Sequence, residues 1–143
     1  MAAYNKFECF SEDLAKKLHN LHTDTVMAFL TNTAPNAATH TAYDGVTGST
    51  GPAEIANGNG YTTGGADTTN TVSRSGVTSS ILGVDIVWTA SGGSIASFRY
   101  VPIYNDTATG NNLIGWWDYG SSISPATGET FTVDFGASMF TIA

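Results

Sequence analysis

Short apolar runs separated by turn signals constrain this sequence most strongly. Beyond Asp24, runs of four to ten residues either alternate apolar with polar positions or are briefly apolar throughout, which is typical of β-strands. The runs are 26–30, 77–82, 84–89, 95–104, 113–117, 130–135 and 139–142. Asp44-Gly45, Asn57-Gly58 and Gly92-Gly93 lie between runs and supply the positive φ that tight turns need. The pattern predicts a mainly β protein, an antiparallel β-sandwich or barrel.

One segment near the N-terminus has a helical period instead. Its apolar residues recur at spacings of three and four: Phe7, Phe10, Leu14, Leu18 and Leu21. Ser11 is the candidate N-cap, so we predict one short amphipathic helix over 11–21, with Phe7 and Phe10 on an arm before it. The chain is then divided into an N-terminal arm and helix, residues 1–23, and a single β domain, residues 24–143.

Two local features qualify the β domain. The stretch at about 34–67 is rich in Gly, Thr, Ala and Asn, which predicts a long loop. Because unstructured connections of this length are uncommon in compact domains, we expect a partner to order it. Within the run 95–104, Pro102 donates no backbone hydrogen bond and therefore predicts an edge strand or a bulge.

Charge and hydropathy exclude several classes of partner. The formal net charge is -7, and only five residues are Lys or Arg, so we expect no nucleic-acid partner. No apolar run approaches the roughly 18 residues of a membrane span, and the N-terminus lacks the apolar core of a signal peptide. We therefore expect no membrane partner and synthesis in a cytoplasm without export by that route.

The residues that usually carry chemistry do not form a recognisable site. Cys9 is the sole cysteine, which rules out an internal disulfide and the Cys-based zinc patterns. His19 and His22 have metal-ligand spacing but no obvious third ligand, so ordinary surface histidines are favoured. The sequence predicts a non-enzymatic protein without cofactor or metal. A small glycan hydrolase and a weak calcium site of loop Asp and Asn oxygens are the alternatives left open.

The adjacent Trp116 and Trp117 point to opposite faces of one predicted strand. One of them is therefore expected in the core, and the other outward or under a subunit contact. The candidate partner-binding residues are Phe7, Phe10, Leu14, Leu18, Trp116 and Trp117.

Several segments together resemble a family of tailed-bacteriophage virion structural proteins. They are YNKF at 4–7, LTNTAP at 30–35, GNGYTTGG at 58–65, WTASGGSIASFRYVPIYNDTA at 88–108, LIGWWDYGSS at 113–122 and ETFTVDF at 129–135. The resemblance covers most of the chain and carries no catalytic residues.

The resemblance implies a capsid decoration (cement) protein on the capsid surface of the virion, made in the host cytoplasm. Its implied partners are the major capsid protein and copies of itself, with a trimer as the expected oligomer. The alternative is a tail, head-fibre or receptor-binding component of the virion.

Overall fold

A computed structural model describes residues 2–143 of the chain. In chain order its elements are β1 (Ala3–Lys6), α1 (Cys9–Ala15), β2 (Val26–Ala28), a 3-10 turn (Gly45–Thr47), β3 (Ala66–Asp67), β4 (Thr71–Ser75), β5 (Thr78–Leu82), β6 (Ile86–Thr89), β7 (Phe98–Asn105), β8 (Leu113–Ile123), β9 (Thr130–Val133) and β10 (Phe140–Ile142). The fold is mainly β with one short helix, as predicted from the strand-like runs.

Antiparallel pairing arranges the strands in three sheets. The largest has the order β1-β8-β7-β2-β3, and the smaller ones are β10-β5-β4 and β6-β9. Aromatic contacts join the layers: Tyr4 stacks on Phe140 with ring centroids 5.2 Å apart, and Phe98 meets Phe131 at 4.7 Å. The sheets are sandwich-like and do not close into a barrel, which decides between the two predicted architectures.

The helix differs from its predicted bounds. It begins at Cys9 rather than Ser11, its N-cap is Glu8 without a side-chain cap hydrogen bond, and it ends at Ala15. Lys17 then adopts φ 64°, a left-handed conformation that stops the helix. Beyond this point the chain continues in turns, which bury Leu21 in the core but leave Leu18 42% exposed.

The predicted N-terminal arm is a strand of the largest sheet. β1 pairs with β8 from Ala3 opposite Asp118 to Lys6 opposite Gly115. Phe7, which follows it, is completely buried, and its N–H donates to the Ile114 carbonyl at 3.2 Å. Residues 2–15 therefore belong to the same packing unit as the β-strands.

Pro102 lies in a central strand, so the predicted edge position is wrong. β7 is flanked by β8 and β2, and Pro102 stands opposite Trp116. The pairing of β7 with β8 has one register irregularity before Pro102, between Phe98 and Tyr100, and one after it, between Ile103 and Tyr104. Both irregularities are against β8, whereas the Pro102 carbonyl faces the β2 side and accepts from the Phe29 N–H at 3.0 Å. The missing N–H therefore falls just beyond Ala28, where the regular pairing of β2 ends.

The loop at 34–67 packs against its own chain, and its ordering by a partner stays a prediction. Ile55 and Tyr61 are buried, and the Ile55 N–H donates to the Leu30 carbonyl at 3.0 Å. Tyr43 stacks on Tyr104 of β7 with centroids 4.2 Å apart. The loop thereby covers the face of the largest sheet that the smaller sheets leave open.

Candidate functional site

The N-terminal candidate residues are divided between core and surface. Phe7 and Phe10 are buried, and Leu14 packs against the core while partly exposed. Leu14 also lines a groove with Leu21, Val72 and other side chains. Of the four apolar residues proposed to bind a partner here, Leu14 and Leu18 therefore keep accessible surface, and the two phenylalanines are committed to the fold.

The two tryptophans lie on opposite faces, as predicted. Trp117 is 2% exposed and contacts Phe135 with ring centroids 5.4 Å apart. Trp116 is half-buried, because Phe7 covers it at 4.6 Å. Trp117 is thus the core member, and Trp116 is the one with surface to offer.

A polar cluster lies where the helix, the following turns and the β7–β8 connection meet. We define the His19 cluster as Asp13, His19, Asp24, Asn105 and Asn112. The Asn105 Nδ2 donates to Asp24 Oδ2 at 2.7 Å and lies 3.1 Å from His19 Nδ1. The Asn112 Nδ2 donates to Asp13 Oδ2 at 3.0 Å. Asp13, His19 and Asn105 are buried, so the cluster ties the N-terminal segment to the sheet.

Hydrogen bonding determines the protonation of His19. The Asn105 Oδ1 accepts from the N–H groups of Thr107 and Ala108 at 3.0 and 3.1 Å, which fixes the orientation of the amide. Its Nδ2 is then a donor, so His19 Nδ1 must accept and the ring proton sits on Nε2. Burial lowers the pKa of His19, while the charges of Asp13 and Asp24 partly oppose that shift. The neutral ring therefore fits the cluster.

The His19–His22 pair does not form a metal site. His19 turns inward to Asn105, whereas His22 is exposed, and neither residue lies in a helix. Within residues 2–143, no group of three or more His, Cys, Asp or Glu side chains could hold a metal ion. The sequence interpretation of ordinary histidines fits His22, but His19 is a buried structural residue that the spacing did not reveal.

A second buried polar cluster lies in the 34–67 loop, and no sequence pattern indicated it. The Glu54 carboxylate accepts hydrogen bonds from Tyr43 Oη at 2.8 Å, Tyr61 Oη at 2.6 Å and Gly64 N–H at 2.8 Å. The Tyr61 hydroxyl in turn accepts from the Leu30 N–H at 3.1 Å. Burial raises the pKa of Tyr61, and the Glu54 carboxylate raises it further. These bonds hold the loop on the sheet.

Cys9 is not poised as a nucleophile. Burial and the nearby Asp13 charge raise the pKa of its thiol to about 11, although a hydrogen bond with the backbone of Cys9 itself acts to lower the pKa. The reactive form of a cysteine is the thiolate, which such a pKa disfavours at neutral pH. The thiol instead lies near the carbonyls of Thr41 and Leu113, at 3.8 and 3.7 Å.

The most exposed regular element is a hairpin that sequence reasoning found only in part. We define the hairpin arm as β4 and β5 with their turn, residues 71–82. All five residues of β4 are exposed, and Val77 at the tip is 89% exposed. The predicted run at 77–82 corresponds to β5, but β4 was not predicted. The Ser75-Gly76 turn between TVSR and VTSSIL was the available signal.

No helix within residues 2–143 is long and apolar enough to cross a membrane. Comparison of the chain with protein-family models, with curated proteins and with solved structures found no match.

Proposed function

We propose that this chain is a non-enzymatic structural protein of a tailed-bacteriophage virion, a capsid decoration protein that binds the major capsid protein lattice and stabilises the head. The proposal rests on the resemblance of its sequence segments to that family. The resembling segments 88–108, 113–122 and 129–135 contain β7, β9 and all of β8 except Ile123, and these strands bury much of the core. The likeness therefore falls on residues that build the fold.

The surface is consistent with such a role. A decoration protein works by adding contact area between neighbouring capsomers, and many copies multiply a modest interface. The exposed strand β4 with the hairpin tip, Leu18 and the accessible side of Trp116 offer contact area without disturbing the core. The net charge of -7 would steer the protein toward basic patches on a partner.

The decisive experiment is to locate and count the chain on purified virions. We expect density for it on the capsid surface in a reconstruction of the particle, at a copy number that scales with the major capsid protein. Capsids prepared without it should bind the purified chain to saturation and then withstand higher temperature before releasing DNA.

Density confined to the tail or to fibres would overturn the capsid assignment in favour of a tail, head-fibre or receptor-binding component. Absence of the chain from purified virions would overturn the virion role altogether. A trimer on the particle is the oligomer that the family resemblance implies, and the same reconstruction reports its symmetry.

A further inference from the structure

We propose that two copies of this chain associate through the outer edge of β4, pairing antiparallel about a two-fold axis at Ser73. This contact is a property of the chain by itself and does not depend on the proposed virion role. It would join copies directly, or join neighbouring oligomers on a larger assembly.

Among the strands of residues 2–143, β4 is the most exposed, although Ile81 of the same hairpin arm is buried in the core. All five residues of β4 are exposed, although Val72 also lines the groove with Leu14 and Leu21. β4 also ends the order β10-β5-β4, so its outer edge has no partner strand within residues 2–143. A strand held from one side only is marginal in water and presents free N–H and C=O groups for pairing.

The turn determines which backbone groups of β4 face outward. Ser75 stands opposite Thr78, and the two residues between them are Gly76 at φ 60° and Val77 at negative φ, which is the type II′ pattern. In such a turn the two flanking residues, here Ser75 and Thr78, donate backbone hydrogen bonds to each other. Along the two strands, hydrogen-bonded residue pairs then alternate with pairs that share no hydrogen bond. The backbone N–H and C=O groups of Ser73 and Ser75 therefore face β5, and those of Val72 and Arg74 face outward.

This edge is complementary to itself. A two-fold axis at Ser73 places Val72 of one copy opposite Arg74 of the other, so the outward groups of both pairs meet and form four backbone hydrogen bonds. At the axis the small Ser73 side chains face each other, and no like charges stand directly opposite. The edge carries no proline and no register irregularity against β5.

Charge favours a second copy as the occupant of this edge. The chain has 12 acidic residues and a net charge of -7, so most approaches between copies are repulsive. The hairpin arm contains no acid and one cation, Arg74. Its nearest acids in sequence, Asp67 and Asp85, lie outside the arm. Two copies that meet at β4 therefore place no acidic residue of one arm against the other.

A charge-reversal pair at the axis tests this geometry. Ser73→Lys places two ammonium groups directly opposite, and Ser73→Glu places two carboxylates there, so each variant should weaken self-association by at least about tenfold. An equimolar mixture of the two variants should restore association as a mixed dimer. Analytical ultracentrifugation over a range of concentrations measures all three samples beside the unaltered chain.

Two controls separate the axis from general charge effects. Val77→Lys adds a positive charge at the hairpin tip and should leave association unchanged. Circular dichroism of each Ser73 variant establishes that it is folded. An unaltered chain that is monomeric at all concentrations, a trimer insensitive to the Ser73 variants, or a mixture that fails to restore association would overturn the proposal.

A crosslink gives an independent readout should the charged variants not fold. Opposed residues in a pair without mutual hydrogen bonds have Cα atoms about 4.5 Å apart, within the range a disulfide spans. In a Cys9→Ser background, Ser73→Cys should therefore form a disulfide-linked dimer under mild oxidation, and Ser75→Cys should not. Equal crosslinking of the two variants would contradict the register.

Both tests use the purified chain, so a negative result in them leaves the particle experiment unaffected. A negative result in the particle experiment likewise leaves these two tests unaffected.

Discussion

At the residue scale, the adjacent tryptophans provide the sharpest contrast, because one strand places them in different environments. Replacing the buried Trp117 with Ala should cost about 3–5 kcal/mol of the free energy of unfolding, since the core loses a large aromatic and gains a cavity. Replacing the half-buried Trp116 should cost less, about 1–2 kcal/mol. Urea denaturation measures both, and equal losses would contradict the burial described above.

His19 makes stability depend on pH. Because burial lowers its pKa in the folded state below the ordinary 6.5, the unfolded chain takes up a proton at a pH where the folded chain does not. The contribution of neutral His19 is therefore fully present above about pH 6.5 and is lost as the pH falls below it. We expect the free energy of unfolding to decrease between about pH 7 and pH 5.

The matched variants for this effect are His19→Gln and His22→Gln. His19→Gln keeps an acceptor for Asn105 but does not titrate, so it should flatten the pH dependence between about pH 7 and pH 5. His22→Gln, at an exposed position, is the matched control for loss of an imidazole. Part of the slope should persist in His19→Gln, because burial lowers the pKa of His40 as well. An unaltered slope in His19→Gln would show that His19 does not carry the effect.

At the scale of elements, the contact between β1 and β8 depends on one residue without a side chain. A Cβ added at Gly115 would overlap the ring of Tyr4 and the carbonyl oxygen of Asn5. Gly115→Ala should therefore push β1 away from β8 and destabilise the fold by about 1–3 kcal/mol. Faster hydrogen exchange at the amides of β1 reports the local effect. Ser121→Ala, at an exposed position of the same strand, is the control and should change neither measurement.

The elements also show where sequence reasoning succeeds. Buried strands such as β7, β8 and β9 were predicted because apolar side chains recur in them and Gly-rich turns flank them. β4 was missed since its exposed Thr and Ser residues carry no hydrophobic pattern. The helix was predicted too long because Leu18 and Leu21 keep a helical spacing, although the left-handed Lys17 has already ended the helix.

For the whole molecule, the layered packing explains why the N-terminal segment cannot be treated as a detachable arm. Phe7 and Phe10 fill space on different sides of the largest sheet, since Phe7 joins the cluster of Phe29 and Tyr104 and Phe10 joins the main core. The 34–67 loop closes the Phe7 side through Tyr43 and Glu54. Surfaces that remain accessible to other molecules include β4 with the hairpin tip, Leu18 and part of Trp116.

The amino-acid sequence by itself determined the mainly β class, the approximate positions of the buried strands and the opposite faces of Trp116 and Trp117, because these follow from local periodicity. Tertiary structure alone decided that the sheets form a sandwich, that Pro102 is central and that the loop packs against its own chain. It also created the His19 and Glu54 clusters, whose members lie as far apart as Asp13 and Asn112. Polar contacts between distant residues have no period, so only the packed chain brings them together.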